Sequence, residues 1–207
     1  MGVSASRTGR GRPRGGRSDA KERLLEEARQ QFTELGYQRT TLRGVAKACG
    51  VDAALVSYHF GSKRKLFAAA VQVPVSPTDV VEAAVRDGTV DAERLLAGVI
   101  AVWEDPRTGV PLRSLALAAL QDGGHRDVMR EYLERELVTA LAKRLVGPRR
   151  ERRARAAAYV VAGTVLSHYI LGLNADSDPE TLFADLIGPL AVALDPGHQP
   201  RRRRTSP

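Results

Sequence analysis

Residues 26–51 read EEARQQFTELGYQRTTLRGVAKACGV, and residues 56–67 read VSYHFGSKRKLF. Leu24, Leu25, Ala28, Phe32 and Leu35 recur at the spacing of one buried helical face. Ser18 or Asp19 can cap the start of that helix, and Gly36 supplies a left-handed stop. Thr40 and Thr41 are placed to cap a second helix, in which Leu42, Val45, Ala46 and Cys49 form a narrow apolar stripe until Gly50 ends it. Asp52 caps a third helix with Val56 and Phe60 pointing inward; after the break at Gly61, Ser62 caps a fourth containing Leu66 and Phe67. Helices this short have little stability of their own. Two of them around a Gly-containing turn, with basic flanks, read as a helix-turn-helix over roughly residues 40 to 60. The second helix of such a unit fits the DNA major groove.

Outward from this stretch the chain continues as helix. The spacing predicts helices over 77–87, 91–104, 111–121, 125–146, 149–173 and 179–194, separated by Pro and Gly clusters such as Pro106, Gly109 and Gly123–Gly124. Hydrophobic residues make up 43% of the 207, with a single Trp (Trp103), so Leu, Val and Ala must build the core, which suits helix packing. No alternating strand pattern stands out. The expected fold class is all-α: an N-terminal three-helix helix-turn-helix domain over 18–71, then a larger helical bundle over 72–196.

The formal net charge of +8 is unevenly placed. Residues 1–17 carry five Arg and no acid, residues 18–71 nine basic against six acidic residues, and residues 72–200 fourteen against eighteen, before the run Arg201 to Arg204. A basic end on a mildly acidic body suggests a polyanion held at that end. Both ends, 1–17 and 197–207, are too polar to bury a core and are expected to be disordered. The C-terminal Arg run reads equally as a solubilising tail. Arg10-Gly11-Arg12-Pro13 looks like the core of an AT-hook, with Arg10 and Arg12 reaching an A·T minor groove; a phosphate-tracking tail is the other reading. The lone Cys49 excludes an intrachain disulfide, has a packing role on its stripe and fits a reducing cytoplasm. No apolar run long enough to span a membrane occurs, and no apolar segment follows the basic N-terminus to make a secretory signal.

The two quoted stretches, within Ala20–Val71, resemble the DNA-binding domain of the TetR (TetR/AcrR-like) family of one-component bacterial regulators. The shared pattern is a Phe-x-x-x-Gly-Tyr helix end, a Thr-rich cap, a Val-Ala-x-x-Cys-Gly-Val helix and turn, and a Tyr-x-Phe-x-Ser-Lys close. The resemblance implies phosphate contacts from Thr40, Thr41 and Arg43 at the start of the second helix, where free N–H groups favour anions, and from Lys63. It places Ala53, Ala54, Leu55, Ser57, Tyr58 and His59 on the recognition helix. Ser57 stands where many relatives carry Tyr, and Ala54 where Gly or Pro is frequent. Ala53, Ala54 and Leu55 can only pack on thymine methyls or sugars, which leaves base hydrogen bonds to Ser57, Tyr58 and, unless it serves a phosphate or a structural contact, His59.

The resemblance also implies a homodimeric helical body enclosing an effector. Ala156, Val160, Gly163 and Ser167, with Leu182, Phe183, Leu186, Ile187 and Leu190, are the candidates for a four-helix dimer interface, with packing inside one subunit as the alternative. Trp103, Met129, Tyr132, His168 and Tyr169 are candidate pocket residues that can equally be core. No carboxylate pair, metal cluster or Gly-rich phosphate loop occurs, so neither catalysis nor a cofactor or metal is expected. The resulting expectation is a cytoplasmic, ligand-responsive regulator, more often a repressor than an activator, that binds a double-stranded DNA operator and an unidentified small-molecule effector, with no membrane partner. An architectural DNA-coating protein and a small helical enzyme or carrier are the competing readings.

Overall fold

A computed structural model describes residues 18–73, 75–173 and 176–195. Helix α1 (Ser18–Arg39) buries Leu24, Ala28 and Phe32 and is broken at Gly36, whose φ of 83° lies in the region that glycine alone enters without strain. Helices α2 (Leu42–Ala48), α3 (Ala53–Phe60) and α4 (Lys63–Ala70) follow, each opened by the expected polar cap: Thr41, Asp52 and Ser62. The predicted inward residues Val45, Val56, Phe60, Leu66 and Phe67 are buried together against α1.

The body begins at α5 (Pro77–Ala83), whose N-terminus is a capping box between Ser76 and Asp79. The predicted helix over 77–87 stops early. Asp87 and Gly88 turn with positive φ and pair Val85–Arg86 (β1) with Thr89–Val90 (β2), a two-residue hairpin that the sequence pattern did not announce. Helices α6 (Ala92–Glu104) and α7 (Pro106–Gln121) form an elbow. Here the sequence reading is corrected: Pro106 and Gly109 do not separate helices but belong to the first turn of α7. Asp105 caps that turn, accepting from the Arg107 N–H at 2.8 Å, and Pro106 needs no donor at N1. Gly109 is required by close approach, since a Cβ there would clash with the Trp103 carbonyl oxygen.

Helix α8 (Gly123–Leu133) is capped by Asp122, passes into a π-helical turn at Glu134–Val138, and resumes as α9 (Thr139–Arg144). Helix α10 (Arg150–Thr164) likewise ends in a π-helical turn, Val165–Ile170, and α11 spans Pro179–Leu194 as predicted. Leu95, Leu96, Leu141, Ala154, Ala157 and Leu190 centre the body core. Val128 and Tyr132 of α8 are buried in the N-terminal core. The N-terminal arm with Arg10 and Arg12, and the C-terminal Arg run, lie outside the described residues.

Candidate DNA interface and effector cavity

The α2–turn–α3 unit is locally over-determined. The Thr41 hydroxyl accepts from Gly44 N–H at 2.9 Å, Val51 N–H donates to the Ala46 carbonyl at 3.0 Å across the turn, and Asp52 accepts from Ala54 N–H at 2.7 Å. With Val56 and Phe60 inward, helical spacing leaves Ala54, Ser57 and Tyr58 on one outward face, Tyr58 with 84% of its surface open. Ala53, Leu55 and His59 flank that face and are half-buried. Thr41 and Arg43 are exposed at the start of α2. Lys47 and Lys65, absent from the sequence-based candidates, are also exposed on α2 and α4; a helical wheel of each short helix would have shown them opposite the apolar stripe. Cys49 is half-buried against the N-terminal core.

Of the predicted phosphate contacts, Thr40 is corrected and Lys63 is engaged within its own chain. Thr40 is fully buried, and its hydroxyl donates within hydrogen-bond distance of the Gln31 (3.0 Å) and Gly36 (2.9 Å) carbonyls, so it closes the chain end of α1 and faces no solvent. Lys63 is half-buried: Nζ donates to the Gln38 carbonyl at 2.9 Å and lies 4.6 Å from the centroid of the Tyr37 ring. Burial first, then Arg135, holds this ammonium below the ordinary lysine pKa, against the opposing pull of Glu131 and Glu136.

That lysine belongs to a polar junction between the helix-turn-helix and the body. Tyr37 Oη donates to Glu136 Oε1 at 2.7 Å, the Thr78 hydroxyl donates to Glu136 Oε2 at 2.7 Å, and Gln38 N–H donates to Glu131 Oε2 at 2.8 Å. Behind it, Tyr132 packs its ring on Phe67 at 4.4 Å and on Tyr37 at 5.2 Å. No local pattern announces this junction, since Tyr37 and Glu136 are 99 residues apart and Gln38 and Glu131 are 93 apart.

Tyr132 also lines an apolar cavity of about 390 Å³ between α5, α6, α7, α8 and α10. Of the five predicted pocket residues, Trp103, Met129 and Tyr132 lie in its wall. His168 and Tyr169 do not; Tyr169 stacks on Trp103 at 5.3 Å and His168 meets Tyr169 edge-on at 4.7 Å, placing them behind the wall. On the far side of the body, the predicted interface set is divided. Val160, Leu182, Phe183, Leu186 and Ile187 pack partly on their own core, and Leu190 is fully buried there. Ala156 and Ser167 are half-buried, with the Ser167 hydroxyl donating to the Gly163 carbonyl at 2.7 Å. The exposed residues of α10 and its π-helical turn are instead Tyr159, Ala162, Gly163 and Leu166, of which Ala162 and Leu166 also reach the cavity, beside exposed Ala184, Gly188 and Val192 of α11.

A helix-turn-helix with a bare recognition face, buttressed by a helical body, defines a DNA-binding transcriptional regulator. Residues 24–70 match the model of bacterial regulatory proteins of the tetR family, and residues 92–194 match the tetracyclin repressor-like C-terminal domain. The chain is 30% identical over 180 residues to the HTH-type transcriptional regulatory protein RaaS of Mycobacterium tuberculosis, covering 81% of this chain and 77% of that one. It is also 39% identical over 51 residues to the HTH-type transcriptional repressor AcnR of Corynebacterium efficiens, a match that spans 25% of this chain and 27% of AcnR. Among solved structures it is similar to a TetR-family regulator of Streptomyces coelicolor A3, with TM-score 0.50, 26% identity, and coverage of 90% and 99% of the two chains. The chain belongs to the TetR family. No described helix is long and apolar enough to cross a membrane.

Proposed function

We propose that this protein is a cytoplasmic, homodimeric repressor that binds a palindromic operator and releases it when a small molecule occupies the body cavity, without catalysis of its own. The observation that carries the reading is the double placement of Tyr132, in the core of the helix-turn-helix domain and in the cavity wall. A ligand can move DNA affinity only as far as it prefers one arrangement of the reading heads over another, and a shared wall residue gives it that purchase. Ser57, Tyr58 and His59 read base edges, Ala53, Ala54 and Leu55 pack on thymine methyls or sugars, and Thr41, Arg43, Lys47 and Lys65 hold phosphates. Two copies meet across the exposed stripes of α10 and α11, which support this through Gly163 and Gly188, where an added Cβ would meet nothing in its own chain within 4 Å.

Selection of bound fragments from random DNA, followed by footprinting, tests the proposal. The expected result is a two-fold symmetric site preferred by ~10³-fold or more over random DNA, with half-sites ~34 Å apart or a small multiple of that. One asymmetric site bound by a monomer overturns it, and a uniform coating of A·T-rich DNA would establish an architectural role instead.

A further inference from the structure

The wall of the cavity carries no Asp, Glu, Lys, Arg or His among its described residues. Valine, leucine, alanine, isoleucine and proline make up most of it, and its polar members, Ser76, Trp103 and Tyr132, are neutral. Burial, with Glu136 and Asp79 adding to it, pushes the Tyr132 hydroxyl pKa up, so that group stays an un-ionised donor.

The charges that stand nearest are committed elsewhere. Asp79 accepts from the Ser76 hydroxyl at 2.7 Å and pairs with Arg64 at 3.1 Å; Ser76 is therefore also engaged. Glu136 is held by Tyr37 and Thr78. Arg113 donates to the Trp103 carbonyl at 3.3 Å. None of these charged residues lines the cavity, so an ion placed there would meet no counter-charge in the wall, and burying an unpaired ion costs several kcal/mol. The volume of about 390 Å³ falls within the ~300–1,000 Å³ range of small-molecule sites.

We infer that the effector is a neutral, lipophilic molecule whose polar function is limited to an acceptor that Tyr132 or the Trp103 indole can meet, and that lipophilic cations and anions are excluded. The inference rests on the reading of this cavity as the effector site.

The test uses the full chain and three probes: N-phenyl-1-naphthylamine, its 8-sulfonated analogue, which differs only by the anion, and a quaternary ammonium of similar size. Trp103 is the chain's single Trp and lies in the wall, so energy transfer to the naphthyl probes, and Trp quenching by the ammonium, report occupancy in the unmodified protein. Ala116→Phe, and independently Val161→Phe on the opposite wall, fill the space with no change of charge. The expected result is that the neutral probe binds at least about 100-fold more tightly than either ion, at about 1.4 kcal/mol per tenfold. At least one folded filled variant should lose it. Ions that bind within tenfold of the neutral probe, and are lost on filling, overturn the inference on ligand class and leave the effector site standing. Absence of binding by all three, or binding that survives in both folded filled variants, overturns the effector site itself.

Discussion

Tyr37 donates its hydroxyl to Glu136 at 2.7 Å, tying the end of the first helix to a π-helical turn 99 residues later. The same carboxylate accepts from Thr78 ahead of it in the body, so one acid joins the helix-turn-helix, α5 and α8. π-helical turns displace one residue from the regular register and recur at functional positions; this one aims Glu136 at the junction. Tyr37→Phe removes a bond to a charged acceptor and should cost about 2 kcal/mol, lowering Tm by roughly 4–8 °C for a chain of this size. The coupling of effector to DNA release should weaken with it. A variant that melts with the wild type and responds to ligand normally would show that the bond contributes to neither.

The same pair sets an alkaline limit. Burial first, and Glu136 next, hold the Tyr37 hydroxyl above its ordinary pKa, and Tyr132 is raised in the same direction. The unfolded chain releases these protons near pH 10 while the folded chain keeps them. Their contribution is therefore fully present below about pH 10 and is lost as pH rises beyond it. Melting curves taken from pH 8 to 11.5 should fall steeply above 10, and less steeply in Tyr37→Phe. An identical fall in both proteins counts against Tyr37 as a source.

Recognition and stability should separate cleanly along α3. Tyr58→Ala removes an exposed ring and should cut affinity for the selected operator with Tm unchanged. Phe60→Ala, two residues on and 6% exposed, should cost about 3 kcal/mol of stability. Operator titration beside thermal melting checks both. Loss of stability in Tyr58→Ala, or of operator affinity alone in Phe60→Ala, contradicts the assignment of faces.

Thr40 and Arg43 should behave differently. Thr40→Val leaves the Gln31 and Gly36 carbonyls without their shared donor and should destabilise the fold by about 1–3 kcal/mol. Its salt dependence of DNA binding should match the wild type. Arg43→Ala should leave Tm alone and make the slope of log K against log salt shallower by about 0.9 for each phosphate lost. A salt slope altered by Thr40→Val would restore that residue to the interface.

Residues 2–17 carry five Arg and no acid. Their deletion should make the salt slope shallower by several units per dimer. If Arg10 and Arg12 enter the minor groove, the loss should be larger on A·T flanks, because the N2 amino group of G obstructs the groove floor. Equal losses on both flanks would leave an electrostatic arm, and an unchanged slope would remove the arm from binding altogether.

The first seventy residues could be read almost directly because their signals are local. Thr41, Asp52 and Ser62 cap helices that begin one residue later, Gly36 adopts the positive φ its chemistry permits, and Val56 and Phe60 follow from helical period alone. The all-helical body, the start and end of α11 and three of five cavity residues were likewise legible. Tertiary structure decided what periodicity leaves ambiguous. Sequence cannot say which way a polar side chain beside a cap turns, and packing sent Thr40 inward and laid Lys63 across the Gln38 carbonyl. A Pro and a Gly look like breaks until the chain folds Gly109 against the Trp103 carbonyl, where only glycine fits. The stripe of α10 that faces outward was fixed by how α11 lies on it, which exposed Tyr159 and Leu166 and half-buried Val160. Above all, Tyr37 and Glu136 meet only because α8 returns to complete the N-terminal core, a contact between residues too distant in the chain for any local pattern to encode.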